Sequence, residues 1–160
     1  MRAIFIVSLI GATLLADQVT KAAVLSLLSP GQTLPVLPGF NLTLSFNEGA
    51  SFGMMSDVMT GKPLLMAALT GALALIFAVM AFRADTLPER AGLGLIVGGA
   101  LGNIIDRLRQ GAVTDFLGLY WRDWHWPTFN GADIAITFGA LIILIATFTT
   151  GRKEPLLDRN

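Results

Sequence analysis

The sequence predicts an all-α membrane protein, four transmembrane helices with a small β-sheet outside the bilayer. Three observations carry that expectation. Of 160 residues, 54% are hydrophobic and only 14% are charged, whereas a soluble domain carries about a quarter charged residues. Mean hydropathy is +0.68. Four apolar runs, at about 3–28, 64–82, 89–108 and 132–150, are separated by polar stretches at about 31–62 and 109–131. Residues 1–160 therefore read as one integral membrane unit.

The same composition narrows function. Eleven basic residues balance eleven acidic ones, so no net field attracts nucleic acid. With no cysteine, thiol catalysis, disulfides and cysteine metal sites are excluded. A single histidine, His125, is too few for a zinc protease built on H-E-x-x-H.

Residues 3–16 are uncharged and follow Arg2, which alone could describe a secretory signal. No small-x-small cleavage site follows cleanly, and apolar residues resume after Lys21. The run 3–28 is therefore a helix long enough to cross with some tilt. Asp17 and Lys21 are four apart and share a face near its far end. That pair either holds the helix in the bundle as an ion pair or supports a nearby site. Pro30 ends the helix.

Asn41-Leu42-Thr43-Leu44-Ser45-Phe46-Asn47 alternates polar and apolar residues, the period of a half-buried strand. Pro35, Pro38 and Gly39 before it suggest turns and a sheet edge. Leu64 to Phe82 is uncharged throughout and makes the second span. Pro88 then marks a helix start. Because the third apolar run, Ala91 to Ile105, is short, its helix must continue through Asn103 and Arg107. Gly94, Gly98 and Gly102 make one smooth face for close helix contact. Gly99, Asn103 and Arg107 form a polar stripe that should face protein rather than lipid. Further on, Tyr120 to Trp126 gathers all three tryptophans, the composition of an interfacial aromatic belt. Ala132 to Thr150 is the fourth span, with Asp133 at its start.

With four crossings, both termini share a side. Arg2, Arg83, Arg90, Arg152, Lys153 and Arg159 sit in short segments on that side, which the positive-inside rule makes cytoplasmic. Asp115 and Asp133 then lie near the outer face.

Those two aspartates are the candidate chemistry. Two carboxylates in proximity share a proton, because like charges about 3 Å apart do not both ionise. One member then activates water while the other protonates the leaving amine, without metal, thiol or histidine. The macrodipole at a helix start favours the charged form of Asp133, leaving the proton to Asp115. Spacing alone equally allows a loop aspartate and an unrelated helix cap. Gly49-Ala50-Ser51-Phe52-Gly53 also fits G-x-S-x-G, but that serine elbow requires a parallel α/β sheet and an oriented histidine. Four membrane helices leave little chain for such a sheet.

Five blocks carry a resemblance over most of the chain: Asp17 to Lys21, Asn47 to Gly53, Gly98 to Arg107, Val113 to Phe116, and Phe129 to Asp133. In that order, with apolar segments between, they resemble the lipoprotein signal peptidases, the aspartyl signal peptidase II of bacteria. The resemblance implies a four-helix protease of the inner membrane with a periplasmic β-cradle and a short periplasmic helix. Its substrates would be prolipoproteins, cut before a cysteine already carrying diacylglyceryl, and globomycin-type inhibitors would occupy the same cleft. No cofactor is implied. By motif position Asp115 and Asp133 become the catalytic dyad. Asp17, Lys21, Asn47, Gly49, Gly99, Asn103, Arg107, Asn130 and Ala132 become the supporting or substrate-contacting set. Ser51, Gly131 and Ile134 depart from the residues usual in that family, and none of them is a proposed acid. Outside the resemblance, a proton or cation carrier using Asp17, Lys21, Asn103 and Arg107 as a relay, or a membrane scaffold, would share the same four helices.

Overall fold

The computed structural model describes residues 1–49 and 61–150. Its elements are helix α1 (Arg2–Leu27), strands β1 (Thr33–Leu37) and β2 (Phe40–Asn47), helices α2 (Pro63–Arg83) and α3 (Leu87–Gln110), strands β3 (Val113–Trp121) and β4 (Trp124–His125), and helix α4 (Gly131–Thr150). All four helices are long and apolar enough to cross a membrane. These helices begin and end within two residues of the four apolar runs. The short outer helix that the resemblance implies is not among the described residues.

Helix α3 is the centre of the bundle and contacts each of the other three. Of its most apolar stretch, 67% is buried, against 11–17% for the other helices. Those others turn Val7, Leu15, Leu69, Ile76, Ile145 and Phe148 outward, side chains that suit lipid and not water. Helix α3 is also closed firmly at both ends. Thr86 and Glu89 form a reciprocal capping box at its start, and Gly111 adopts the left-handed conformation (φ 79°) at its end.

Glycines let the backbones approach. A side chain at Gly94 would meet Leu9, at Gly98 it would meet Thr13 and the Ile10 carbonyl, and at Gly102 it would meet the Asp17 carboxylate. Positions 9, 13 and 17 thus run in register with 94, 98 and 102, so α1 and α3 lie side by side in parallel. The expected small face is this contact. On the opposite side, Gly92 meets Gly139, and Gly99 meets the Ala132 carbonyl, bringing the first turn of α4 against α3.

At the end of the bundle where α1 and α3 finish and α4 begins, the strands form one antiparallel sheet in the order β1-β2-β3-β4. The strand expected over 41–47 is β2. Pro35 lies on the edge strand β1, with a register shift just after it, where a missing N–H is tolerated. The sheet seats on α1 through Val24, Leu28, Leu44 and Phe116. Strand β3 begins with four buried residues, Val113 to Phe116, before turning outward. Trp121, Trp124 and Trp126 remain exposed at the far end of the sheet.

Candidate active site

The site lies where the sheet meets the helix ends. Asp115 is carried by β3, opposite Ser45 of β2, and is only 2% exposed. It accepts hydrogen bonds from Asn47 Nδ2 at 3.1 Å and from Asn130 Nδ2 at 2.6 Å. Asp133 is in the first turn of α4 and is half-buried. It accepts from Asn103 Nδ2 at 2.9 Å and from the Asn130 backbone N–H at 3.2 Å. A single residue, Asn130, therefore grips both carboxylates.

Several of the residues in the motif blocks converge beside these two carboxylates. Buried Lys21 places its three protons on Asp17 Oδ2 (2.8 Å), Asp106 Oδ2 (2.9 Å) and Asn103 Oδ1 (2.9 Å). The ammonium is fully satisfied, as a buried cation must be. Asp17 Oδ1 accepts the Ala132 N–H at 2.9 Å, supplying a partner to one of the free donors at the start of α4 and placing negative charge at its positive end. The Asp17–Lys21 pair thus ties α1 to α3 and to the start of α4. Gly49 donates its N–H to Asn47 Oδ1 (3.1 Å) and accepts from Arg107 Nη2 (3.4 Å). Arg107 is within electrostatic reach of both Asp115 and Asp133. Among the described residues its buried Nε has no partner. The stripe of Gly99, Asn103 and Arg107 faces protein throughout.

Burial pushes the Asp115 carboxyl up to about 6, and the neighbouring Asp133 carboxylate adds to the rise, against the hydrogen bonds from Asn47 and Asn130 and the charge of Lys21. Desolvation and like charge both favour the protonated form. Beside Asp133 opens a largely apolar cavity of about 400 Å³, bounded by Leu119, Trp126, Phe129, Ile134 and Phe138. It reaches from the aromatic end of the sheet to the carboxylate.

Two participants were not singled out from sequence. Asp106 accepts from Lys21, from Gln18 Nε2 at 3.0 Å and from the Thr114 N–H at 3.0 Å. Gln18 also reaches the Gly102 carbonyl at 3.3 Å. Both residues stand inside the quoted motif blocks, and only three-dimensional convergence gives them partners. The alternative serine motif does not gain support: Ala50 to Gly53 lie outside the described residues, and His125 is exposed and stacked on Tyr120 at 5.8 Å.

Four membrane-spanning helices capped by a small sheet, with two carboxylates bridged at the junction, define a polytopic membrane protein with an enzyme-like buried site. The family model described as signal peptidase (SPase) II matches residues 9–149. A lipoprotein signal peptidase of Acinetobacter baylyi is 42% identical over 139 residues, covering 84% of this chain and 76% of that relative. One of Yersinia pseudotuberculosis is 37% identical over 132 residues, covering 81% and 78%. Among solved structures, a bacterial membrane enzyme determined by the in meso method at 2.3 Å resolution superposes with a TM-score of 0.82 at 29% identity, covering 94% of this chain and 92% of the other. The chain belongs to the signal peptidase II family, a family of membrane proteases that process lipoproteins.

Proposed function

We propose that this chain removes the signal peptide from diacylglyceryl-modified prolipoproteins, cutting before the lipidated cysteine with a water activated by Asp115 and Asp133. The observation that carries the reading is Asn130, whose side-chain amide holds Asp115 and whose backbone N–H holds Asp133. One rigid residue between two carboxylates keeps both facing one reacting centre.

In this mechanism Asp115 holds the shared proton, in line with its raised pKa. Asp133, at the positive end of α4, takes a proton from the attacking water. The pair then returns a proton to the leaving amine. Arg107 brings positive charge beside both carboxylates. Asp17, Lys21 and Asn103 hold Asp133 from beneath, and Gly99 lets Ala132 and the start of α4 come close. Asn47 and Gly49 hold Asp115 and Arg107 from the sheet side.

The substrate enters sideways from the bilayer. Its acyl chains stay among apolar surfaces, and its scissile peptide reaches Asp133 along the cavity lined by Trp126, Phe129 and Phe138. We place both termini on the cytoplasmic side of a bacterial inner membrane, because Arg2, Arg83 and Arg90 cluster at the end of the bundle away from the sheet. The site then sits at the periplasmic face, within one membrane-embedded unit. Globomycin-type inhibitors would bind the same cleft. The polar residues that a carrier would need, Asp17, Lys21, Asn103 and Arg107, are instead engaged with one another or with the residues around the two carboxylates.

The deciding experiment is cleavage of a lipidated precursor by purified protein in lipid. Asp115→Asn and Asp133→Asn should each abolish cleavage while the protein remains in the membrane. Wild-type cleavage by either variant would overturn the dyad.

A further inference from the structure

Asp106 contacts neither carboxylate of the proposed pair, yet it is joined to both by short paths. The residue is 6% exposed, and it sits one turn beyond Gly102 on α3. Oδ2 accepts the backbone N–H of Thr114 at 3.0 Å, the residue immediately before Asp115. The same oxygen meets Lys21 Nζ at 2.9 Å. From Lys21 the path continues to Asn103 Oδ1 at 2.9 Å, and from Asn103 Nδ2 to Asp133 Oδ1 at 2.9 Å. Oδ1 is occupied by Gln18 Nε2 at 3.0 Å, which locks the carboxylate's rotation.

The contact to Thr114 has a specific place in the sheet. Backbone groups of alternate strand residues point to the same edge. Thr114 and Phe116, which flank Asp115, both direct their N–H away from β2. Phe116 gives its own to the Phe129 carbonyl at 3.0 Å, next to Asn130, and Thr114 gives its own to Asp106. The short piece of β3 that carries Asp115 is therefore pinned on its free edge by two anchors. One leads through Asn130 to Asp133, and the other leads through Asp106, Lys21 and Asn103 to the same residue. The two connections close a ring around the pair, cross-linked where Asn130 donates to Asn103 Oδ1 at 3.2 Å.

We propose that Asp106 is a positioning residue that sets the separation and orientation of Asp115 relative to Asp133. This inference rests on those two aspartates being the catalytic pair. Its role is geometric, since both of its oxygens are engaged by protein donors, Gln18 on one and Thr114 and Lys21 on the other. Loss of the side chain frees the β3 edge and leaves Lys21 without one of its anchors, so the ring opens on one side. A displacement on the order of 1 Å at a reacting group is enough for a hundredfold loss of rate.

The test is steady-state cleavage of a lipidated precursor in lipid, with rates normalised to folded protein. Asp106→Ala should lower kcat about a hundredfold or more while KM stays within about twofold. Asp106→Asn keeps an oxygen for Thr114 and Lys21 and should recover part of that loss, to about tenfold below wild type. Asp115→Asn and Asp133→Asn are assayed beside them. If these two cleave normally, the pair itself is wrong. If they are inactive while Asp106→Ala turns over at the wild-type kcat, the positioning role fails. A lower Tm with unchanged kcat per folded molecule overturns it equally, because a purely structural acid would behave that way. Should Asp106→Ala not accumulate in the membrane, Asp106→Asn decides: a wild-type kcat sinks the proposal and a reduced kcat at unchanged KM upholds it.

Discussion

Asn130 and Asp133 cap each other at the start of α4. The Asn130 N–H donates to Asp133 Oδ2 at 3.2 Å, and the Asp133 N–H donates to Asn130 Oδ1 at 3.0 Å. This is the geometry of a capping box, with asparagine and aspartate in place of the usual Ser/Thr and Glu. The device that starts the helix is here the same device that aims a carboxylate. Asn130 then spends its remaining amide protons on Asp115 (2.6 Å) and on Asn103 Oδ1 (3.2 Å), so none of its polar groups is idle despite complete burial.

Separating those two duties gives the first prediction. Asn130→Ala removes both and should lower stability by about 1 kcal/mol through the lost cap, with kcat down at least about a hundredfold. Serine is an equally good N-cap but too short to reach Asp115. Asn130→Ser should therefore restore Tm to near the wild-type value and leave kcat low. Thermal unfolding in detergent and cleavage of a lipidated precursor read the two quantities separately. Recovery of kcat by serine would show that the bridge to Asp115 is dispensable.

The raised Asp115 pKa predicts a pH dependence with a definite sign. The folded protein prefers the protonated carboxyl, whose value of about 6 exceeds the ordinary 3.8. The stability this group contributes is complete below 3.8 and is lost as pH rises through about 6. For activity, under the proposed mechanism, loss of the proton removes the acid that serves the leaving amine. On the alkaline side kcat/KM of the free enzyme should fall about tenfold per pH unit, from a midpoint near 6. A profile measured from about pH 5 to about pH 8.5 in one lipid mixture checks it. A flat profile over that range would mean that Asp115 is not the proton donor.

The bundle was readable from sequence because lipid imposes a rule that composition obeys: long uncharged runs, small residues where helices meet and polar residues turned inward. Gly94, Gly98 and Gly102 could be assigned to a helix contact, and Asn103 and Arg107 to the protein side, from spacing alone. Strand β3 was not readable. Its first four residues, Val113 to Phe116, are all buried, so the apolar-polar alternation that revealed β2 never develops. Strand β1 carries Pro35, which argued for a turn and is tolerated only because the strand is an edge. The proposed pairing of Asp115 with Asp133 was suggested by carboxylate chemistry and the motif blocks and not by periodicity. Asp106 and Gln18 gained no role because they bond each other across 88 positions, a closure that the parallel packing of α1 on α3 brings about.

That packing can be tested at two glycines of opposite character. A methyl group at Gly102 would fall on the Asp17 carboxylate. Gly102→Ala therefore pushes α1 from α3 or displaces Asp17 from Lys21 and Ala132, and should destabilise by about 1–3 kcal/mol with loss of cleavage. At Gly11 a methyl group meets nothing within 4 Å. Gly11→Ala should leave activity intact and raise stability by up to about 1 kcal/mol, the ordinary gain of alanine over glycine inside a helix. Equal Tm values for the two variants would contradict the register of α1 against α3.

The last prediction concerns the charge at the base of the site. Lys21 is 2% exposed and faces two buried carboxylates, Asp17 and Asp106, at 2.8 and 2.9 Å. Replacing both partners of a buried ion pair together is often nearly neutral, but removing only one strands the other charge at a penalty of about 3–5 kcal/mol. Lys21→Met strands two acids at once and withdraws the donor that orients Asn103 toward Asp133. It should lower Tm sharply and abolish cleavage. Exposed Lys62→Met should do neither, since a surface charge contributes little. Arginine is not a conservative replacement at Lys21: the ammonium puts its three protons on three acceptors converging at 2.8–2.9 Å, whereas a planar guanidinium presents its donors in a wider fork. Lys21→Arg should therefore retain some of the stability, because a cation remains, but little of the activity. Because the cluster is shielded from solvent, the Tm difference between wild type and Lys21→Met should hardly change on adding salt. A difference that collapsed in high salt would place Lys21 at the surface and disconnect it from the proposed catalytic pair.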